Sequence, residues 1–194
     1  MLKLLLIFIL SFTASASDKW AGFITYSPYD LWIPSKIGAL VSYQDKNRAY
    51  ELAYQFSTIR FDFILDEIGS VSDSRLHLTT RSFRYNNSFN YQYGLSYNHF
   101  KMNLSPAFSS FDLFEARVLN IVWGVGNRYK WKSGIELGVD WFKIFYPLYT
   151  LALNDSALDS VTNSNDKEDL KRVITLLEKI PTFTLVHIEL GYRF

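Results

Sequence analysis

Cysteine is absent from this sequence of 194 residues. Disulfides, zinc–thiolate sites and cysteine nucleophiles are therefore excluded. Histidine is also scarce, and no two of the three histidines have the spacing of a metal-binding pair. We expect neither a metal site nor a cofactor. Without disulfides, a chain of this size must be held together by its core or by hydrogen-bonded strands.

Two further absences limit the function. No segment approaches the run of about 18 apolar residues that a transmembrane helix needs. The charges nearly balance, with 20 Lys and Arg against 19 Asp and Glu, and loss of Lys3 with an N-terminal leader would leave 19 of each. We therefore expect no nucleic acid partner, since proteins that bind nucleic acids usually carry an excess of positive charge.

The first sixteen residues have the pattern of a Sec signal peptide. Lys3 precedes an apolar segment, residues 4–12, and Ala14-Ser15-Ala16 forms a small-x-small cleavage site. The apolar segment is too short to span a bilayer as a helix. We predict that residues 1–16 are removed during export and that residues 17–194 form one domain.

Aromatic residues are abundant, at 18% of the chain, with 13 Tyr, 16 Phe and 5 Trp. This share is high for a soluble domain but ordinary for a membrane barrel, which carries aromatic girdles at both membrane interfaces. The aromatic residues also alternate with polar ones. From Phe89 to Asn98, the odd positions are apolar or aromatic and the even positions are polar or glycine. This pattern is typical of a β-strand with one apolar face and one polar face.

The same alternation, interrupted by turn signals, divides the chain into eight strands. We predict them at residues 20–26, 37–44, 49–63, 75–85, 89–100, 113–125, 135–146 and 182–194. The pattern leaves the facing of the first and fourth strands open. Three connections are short, namely 45–48, 86–88 and 126–132, and alternate with longer ones at 27–36, 64–74, 102–112 and 147–181. Short periplasmic turns and long external loops are typical of an all-β, antiparallel up-and-down outer-membrane barrel.

The last thirteen residues form an alternating strand that ends on an aromatic residue. A period of two separates Thr182, Thr184, Val186, Ile188, Leu190, Tyr192 and Phe194 from Phe183, Leu185, His187, Glu189, Gly191 and Arg193. Phe194 is the last residue, and Tyr192 is the third from the end. This ending resembles the C-terminal strand of bacterial outer-membrane β-barrels, in which these two aromatic positions help the assembly machinery to recognise the chain.

The resemblance is to small eight-stranded barrels of the OmpA/OmpX-like class. It implies an outer-membrane location, the barrel assembly machinery as a partner during biogenesis, and contact with outer-membrane lipids, including lipopolysaccharide. We expect a monomer with a structural or surface-interaction role. Three alternatives stay open: a lipid-modifying enzyme that hydrolyses or transfers acyl chains of lipid A or phospholipids, a narrow channel, and a secreted soluble barrel that binds a ligand.

Eight strands enclose a lumen about wide enough for side chains to fill. The predicted inward polar residues are Glu51, Gln92, Glu136, Asp140, His187, Glu189 and Arg193. Charges in such a lumen must pair or stay hydrated. The width favours a structural polar network over an ion pathway.

For the enzyme alternative, the candidate residues are His99, His77, Ser109 and Asp112. Both histidines lie near the predicted outer ends of strands, beside loops with hydroxyl and carboxyl groups. Such a set can hydrolyse esters, because histidine deprotonates the hydroxyl and a carboxylate orients the histidine. The sequence has no GxSxG motif, which leaves the set unassigned.

The last external loop contains a helical pattern. Asn165 resembles an N-cap, with Glu168 three places later, and Pro181 ends the pattern. The apolar residues follow helical spacing at Leu170, Val173, Ile174 and Leu177. We predict an amphipathic helix at residues 166–179 that either packs on the rim of the barrel or contacts lipopolysaccharide or a partner surface.

Overall fold

The computed structural model describes residues 19–31, 33–63, 66–84, 88–104, 111–154 and 179–194. Within them the chain forms nine strands: β1 (Trp20–Ser27), β2 (Tyr29–Asp30), β3 (Lys36–Asp45), β4 (Arg48–Phe63), β5 (Asp66–Phe83), β6 (Phe89–Leu104), β7 (Phe111–Lys130), β8 (Ile135–Asn154) and β9 (Thr182–Arg193). No helix in these residues is long and apolar enough to cross a membrane. The predicted signal peptide and helix 166–179 lie outside the described residues, apart from Lys179.

The strands form one closed antiparallel barrel. The long strands pair in chain order, and β1 closes the barrel by pairing with β9, where Gly22 lies opposite Tyr192. The two residues of β2 continue the path of β1 along β9, with Tyr29 opposite Leu185. The wall therefore has eight strands, as predicted. Closure supplies every strand with hydrogen-bonding neighbours on both sides, which an open sheet cannot do.

The two ends of the barrel differ. The short connections 46–47, 84–88 and 131–134 lie at one end together with Phe194, and we call this the turn end. Gly134 in the last of these turns has a φ of 87°, a region that glycine adopts without steric cost. At the opposite end, which we call the loop end, lie the strand ends Phe63 and Asp66, Leu104 and Phe111, and Asn154 and Thr182.

The wall has unequal height. At the loop end, the pairing of β3 with β4 stops at Ile37 and Phe56, and that of β8 with β9 stops at Phe145 and Thr182. Strands β4 to β8 continue pairing with one another beyond these points. They form a tall section of wall on one side of the barrel.

Several predicted strand borders were wrong. The loop predicted at 64–74 is largely strand, because β5 begins at Asp66 and its polar residues pair with β6. The turn predicted at 126–132 begins only after Lys130, and β8 continues past Tyr146 to Asn154. The sequence borders followed apolar alternation, whereas strand pairing continues through segments whose outward residues are polar.

Side chains alternate between a buried lumen and an exposed outer surface. In β5, whose facing the sequence left open, Arg75, His77 and Arg81 point inward, while Leu76 and Leu78 point outward. In β1 the inward residues are Ala21, Phe23, Thr25 and Ser27. Exposed aliphatic and aromatic side chains surround the barrel, among them Ile24, Val41, Leu52, Tyr54, Leu78, Tyr93, Leu95, Ile121, Trp123 and Leu190.

A bulge at Val186 reverses the facing of the last strand. Val186 has a φ of 56°, and both it and Trp141 of β8 are skipped in the pairing, so that Asp140 lies opposite His187 and Phe142 opposite Leu185. From His187 to the C-terminus the facing agrees with the predicted alternation. Before the bulge, however, the facing is the opposite of the prediction: Thr184 is buried in the lumen and Leu185 is exposed outside. One extra residue shifts a period of two by one place.

Candidate functional site

The lumen is filled by ion pairs that are centred on Arg81. Its guanidinium donates to Asp140 Oδ1 at 2.6 Å, Glu189 Oε1 at 2.8 Å and Glu51 Oε1 at 3.1 Å. Asn90 Oδ1 accepts a further bond at 2.8 Å. Arg81 is fully buried, so these contacts replace the water that its charge would otherwise bind.

Two more cations complete this group, which we call the Arg81 cluster. Arg128 Nη2 lies 2.6 Å from Glu51 Oε1 and 2.5 Å from Glu189 Oε2. Lys143 Nζ lies 2.7 Å from Asp140 Oδ2. The cluster therefore contains Arg81, Arg128 and Lys143 against Glu51, Asp140 and Glu189. Its charges balance, as a group buried in a low-dielectric interior requires.

Toward the turn end, Arg193 and Glu136 form a separate pair. Arg193 Nε donates to Glu136 Oε1 at 2.5 Å, and Arg193 Nη2 donates to Gln44 Oε1 at 2.8 Å. Glu136 is buried, whereas Arg193 is partly exposed. Gln92 lines the lumen near the Arg81 cluster and is also buried.

Two buried histidines lie on the loop-end side of the Arg81 cluster. Gln55 Nε2 donates to His187 Nδ1 at 3.2 Å, and Ser27 Oγ lies 2.7 Å from the same nitrogen. An acceptor at Nδ1 places the proton of His187 on Nε2, which faces Glu189 Oε1 at 3.4 Å. Gln55 Oε1 then accepts from His77 Nε2 at 3.2 Å. The bonding pattern fits two neutral histidines that act as hydrogen-bonding residues of the lumen.

A second balanced group lies nearer the loop end, and we call it the Lys36 cluster. Lys36 Nζ lies 2.6 Å from Asp30 Oδ1 and 2.8 Å from Asp73 Oδ2. Arg75 Nη1 lies 2.6 Å from Asp30 Oδ2, and Arg75 Nη2 lies 3.0 Å from Asp73 Oδ2. Thr184 Oγ1 donates to Asp30 at 2.6 Å. All four charged side chains are buried and pair with one another.

Apolar groups pack between the charges. Phe23 belongs to an apolar cluster with Ala21, Leu40 and Ala53, and the Arg128 guanidinium lies 4.4 Å from the centre of its ring. Phe145 lies 4.6 Å from the Arg75 guanidinium. Such contacts let an aromatic face share the interaction of a buried cation. The middle of the lumen is therefore a packed core.

One group of side chains has the geometry of a metal site, but its carboxylates are already neutralised by arginines. Asp140, His187 and Glu189 offer ligand atoms within 4.8 Å of one another. Both carboxylates already neutralise Arg81, and Glu189 also pairs with Arg128. A divalent cation would add positive charge to a balanced, buried group, so these residues do not fit a metal site.

The structure does not bring the candidate catalytic residues together in the described part of the chain. His77 points into the lumen, whereas His99 points outward and its Nε2 lies 3.0 Å from Glu115 Oε1. Asp112 is part of β7, and its side chain is not described; Ser109 lies outside the described residues. His99 and His77 therefore lie on opposite faces of the wall.

Sequence reasoning missed the central cations. Arg81 lies in the strand whose facing was left open, although the spacing Arg75, His77, Thr79, Arg81 opposite Leu76 and Leu78 was a usable signal. Arg128 lay within a predicted turn. Asp30 and Lys36 lay in a predicted loop, and only the pairing of β2 with β9 shows that Asp30 continues the wall.

Comparison with known proteins gives the fold. No protein-family model matches the chain, and no curated protein matches it in sequence. The crystal structure of a major outer membrane protein from Thermus thermophilus matches with a TM-score of 0.56 at 10% identity, over 91% of this chain and 98% of that one.

Two further crystal structures match with lower scores. The N-terminal barrel domain of Pseudomonas aeruginosa OprF has a TM-score of 0.47 at 8% identity, over 93% of this chain and 100% of that one. Neisserial surface protein A has a TM-score of 0.48 at 7% identity, over 93% and 99%. The chain thus has the fold of an eight-stranded, antiparallel outer-membrane-type barrel, and the likeness to the Thermus protein carries that conclusion.

Proposed function

We propose that this chain is an integral protein of the bacterial outer membrane with a structural or surface-interaction role. The distribution of side chains carries the proposal. On β4, Leu52 and Tyr54 point outward and are about half exposed, at 52% and 51%, whereas Glu51 and Gln55 are buried in the lumen. A soluble ligand-binding barrel has the reverse arrangement. An apolar outer belt around a polar interior suits a barrel surrounded by lipid.

The charges in the lumen support a structural role over a channel. The described ion pairs of the lumen contain six carboxylates and six cations: Asp30, Glu51, Asp73, Glu136, Asp140 and Glu189 against Lys36, Arg75, Arg81, Arg128, Lys143 and Arg193. Each charge has a partner of opposite sign. A permeating ion would have to break several of these buried pairs, which is costly.

The proposed orientation places the turn end in the periplasm and the loop end outside the cell. Tyr192 and Phe194 then lie at the periplasmic end of the last strand, where the assembly machinery would recognise them. The exposed belt would contact outer-membrane lipids, and lipopolysaccharide would surround the loop end. We further propose that the chain functions as a monomer.

Fractionation and electrical recording test this proposal. We expect the chain to stay with outer membranes after urea extraction, and the folded form to migrate differently from the boiled form on a gel. A chain that is soluble and folded without detergent would contradict the membrane location. After reconstitution into planar bilayers we expect no regular stepwise conductance; open-channel steps would instead overturn the structural role and leave the location intact.

One observation favours a lipid-modifying enzyme as a second candidate. On the outer face near the loop end, Ser74 of β5 lies opposite His99 of β6, and His99 bonds to Glu115 of β7. Directly opposite residues have Cβ atoms about 4.5–5.5 Å apart. Ser74 Oγ could therefore attack the carbonyl carbon of a lipid ester and take over its acyl group, while His99 Nδ1 accepts the serine proton and returns it to the departing alcohol, with Glu115 orienting the ring. Water or a second lipid hydroxyl would then remove the acyl group from Ser74. Arg117 Nη2 lies 2.7 Å from the same oxygen of Glu115 and therefore competes with His99 for this carboxylate.

Mass spectrometry of outer-membrane lipids tests this second candidate. If the enzyme acts, cells with the protein should contain lipid species that lack or gain one acyl chain, and Ser74→Ala or His99→Ala should abolish the change. Ser72→Ala is the matched control, since Ser72 lies two residues away on the same face, opposite Lys101. Identical lipid profiles with and without the protein, or equal loss with Ser72→Ala, would argue against the enzyme.

A further inference from the structure

We propose that the loop end of the lumen binds an uncharged amphipathic molecule, an aliphatic chain that ends in a hydroxyl or amide group. The site is a cavity of about 60 Å³, which we call the outer cavity. Its lining includes Phe100, Phe114, Ala116, Val118, Asp73 and Arg75. A water molecule needs at least about 10–15 Å³ of such space. The outer cavity therefore has room for a few waters or for the end of a short chain, and this role goes beyond the structural one.

The apolar wall of the outer cavity is a packed cluster. The rings of Phe100 and Phe114 meet edge to face with centroids 5.9 Å apart. Ala116 is buried beside Phe114, and Met102 and Val118 pack against both. The backbone pairing of β6 and β7 holds these residues on one inward surface. Each methylene placed against such a surface improves affinity about fourfold.

The polar side of the outer cavity has hydrogen-bonding atoms without partners. Among the described residues, Asp73 Oδ1, Arg75 Nε and Thr182 Oγ1 are buried and make no hydrogen bond. All three residues line the outer cavity. Asp73 is 3% exposed and Arg75 1%, so neither side chain is positioned to be satisfied by bulk solvent. Buried polar atoms normally have partners, and a bound molecule would supply them.

The charge of the Lys36 cluster selects the chemistry of the ligand. Lys36 and Arg75 already balance Asp30 and Asp73. A carboxylate or an ammonium group would leave one buried charge uncompensated. The unpaired atoms are one acceptor, one donor and one hydroxyl that can do both. A hydroxyl or primary amide both donates and accepts, and it leaves the charge balance unchanged.

Methyl NMR tests the site with simple probes. The chain has two methionines, Met1 and Met102. Met102 packs against the Phe114 and Ala116 cluster that forms the apolar wall, so its carbon-13 methyl signal, assigned with Met102→Leu, reports on the outer cavity. In lipid nanodiscs, 1-butanol and butanamide should shift the Met102 signal in a saturable way. Butanoate and butylammonium should bind at least tenfold more weakly. The proposal would be overturned if butanoate saturated the Met102 shift at the same concentration as 1-butanol. It would also be overturned if no probe gave a saturable shift.

Two variants separate the site from general effects. Ala116→Leu fills the outer cavity without altering a charge and should abolish the saturable shift, whereas Ala39→Leu adds the same group to the outer face of β3 and should leave it unchanged. Arg75→Lys keeps the charge but removes Nε, and it should weaken butanol binding about tenfold. Gel migration of the folded form checks that each variant folds. Equal binding to Ala116→Leu and to the parent protein would place the butanol elsewhere and refute the site.

Discussion

At the scale of single residues, Arg81 is the side chain on which most of the lumen depends. It contacts carboxylates from three other strands and is fully buried. Arg81→Met leaves Asp140, Glu51 and Glu189 with one cation fewer. Removing one partner of a buried ion pair costs about 3–5 kcal/mol. We expect a loss of this size in the free energy of unfolding, measured by urea titration in lipid vesicles.

Arg117→Met is the matched control for Arg81→Met. Arg117 pairs with Glu115 on the exposed outer face, and exposed ion pairs contribute little to stability. The urea midpoint for unfolding of Arg117→Met should stay close to that of the parent protein. Similar losses for the two variants would mean that the Arg81 cluster is not a special source of stability.

Gly138 provides the space for one carboxylate of the Arg81 cluster. A Cβ atom at this position would lie 2.5 Å from Glu189 Oε2, whereas at Gly22 the nearest atom is 4.0 Å away. Gly138→Ala must therefore displace Glu189 from its cations. We expect it to lower the free energy of unfolding by at least about 1–3 kcal/mol, the range for overpacking a well-packed interior.

Gly22→Ala serves as the control for Gly138→Ala. Both glycines lie in regular strands, but Gly22 has room for the added methyl group, so its substitution should be neutral or slightly stabilising. The same urea titration measures both. If Gly22→Ala were the more harmful change, the steric argument at Gly138 would be wrong.

At the scale of strands, the bulge in β9 is the element that departs most from a regular wall. Val186 is branched at Cβ and has a left-handed φ of 56°, a conformation that costs about 1–2 kcal/mol for non-glycine residues. Val186→Gly should relieve this strain and be neutral or stabilising by up to about 1 kcal/mol. Ile188→Gly, two residues along in the regular part of the strand, should destabilise. Equal losses in a vesicle unfolding assay would show that the bulge is not strained.

The sequence predicted the strands because alternation is a local property. Phe89 to Asn98 alternates without interruption, and the eight-stranded antiparallel barrel built from such segments is confirmed. The bulges at Trp141 and Val186 could not be predicted, since they depend on how two strands align.

The lumen was predictable only in part, and for a related reason. Glu51 and Glu189 lie in strands with clear apolar faces, which fixes their direction. Arg81 lies between Thr80 and Ser82, so local hydropathy gives no direction there, and Arg128 lies beyond the last apolar alternation of its strand. Their positions follow from pairing with neighbouring strands, which the amino-acid pattern alone does not contain.

At the scale of the whole molecule, the exposed apolar side chains of the outer surface, which form the outer belt, indicate that lipid surrounds the barrel. A charge on the lipid face costs about 2–4 kcal/mol at the middle of a bilayer and about 0–1 kcal/mol near its surface. Leu52 and Thr58 lie on the same outward face of β4, and Thr58 lies closer to the loop end. We therefore expect Leu52→Arg to make folding into phosphatidylcholine vesicles less favourable, lowering the free energy of unfolding by about 2–4 kcal/mol.

Thr58→Arg is the depth control for Leu52→Arg. It adds the same side chain to the same strand and face, and Arg60 is already exposed two positions further along. Its folding into vesicles should differ little from that of the parent protein. If both substitutions were equally tolerated, the belt would not lie in a hydrocarbon layer.

The contacts of Arg81 also bear on the order of events during assembly. Its partners Glu51, Asp140 and Glu189 are 30, 59 and 108 positions away in the chain, and the last of them belongs to β9. Until β9 docks, Arg81, Arg128 and Lys143 face only two carboxylates, so the Arg81 cluster lacks one countercharge, and Glu136 lacks its partner Arg193. The final strand therefore brings both the last row of backbone hydrogen bonds and the missing countercharge. An intermediate that lacks β9 should be markedly less stable, which makes closure cooperative and late.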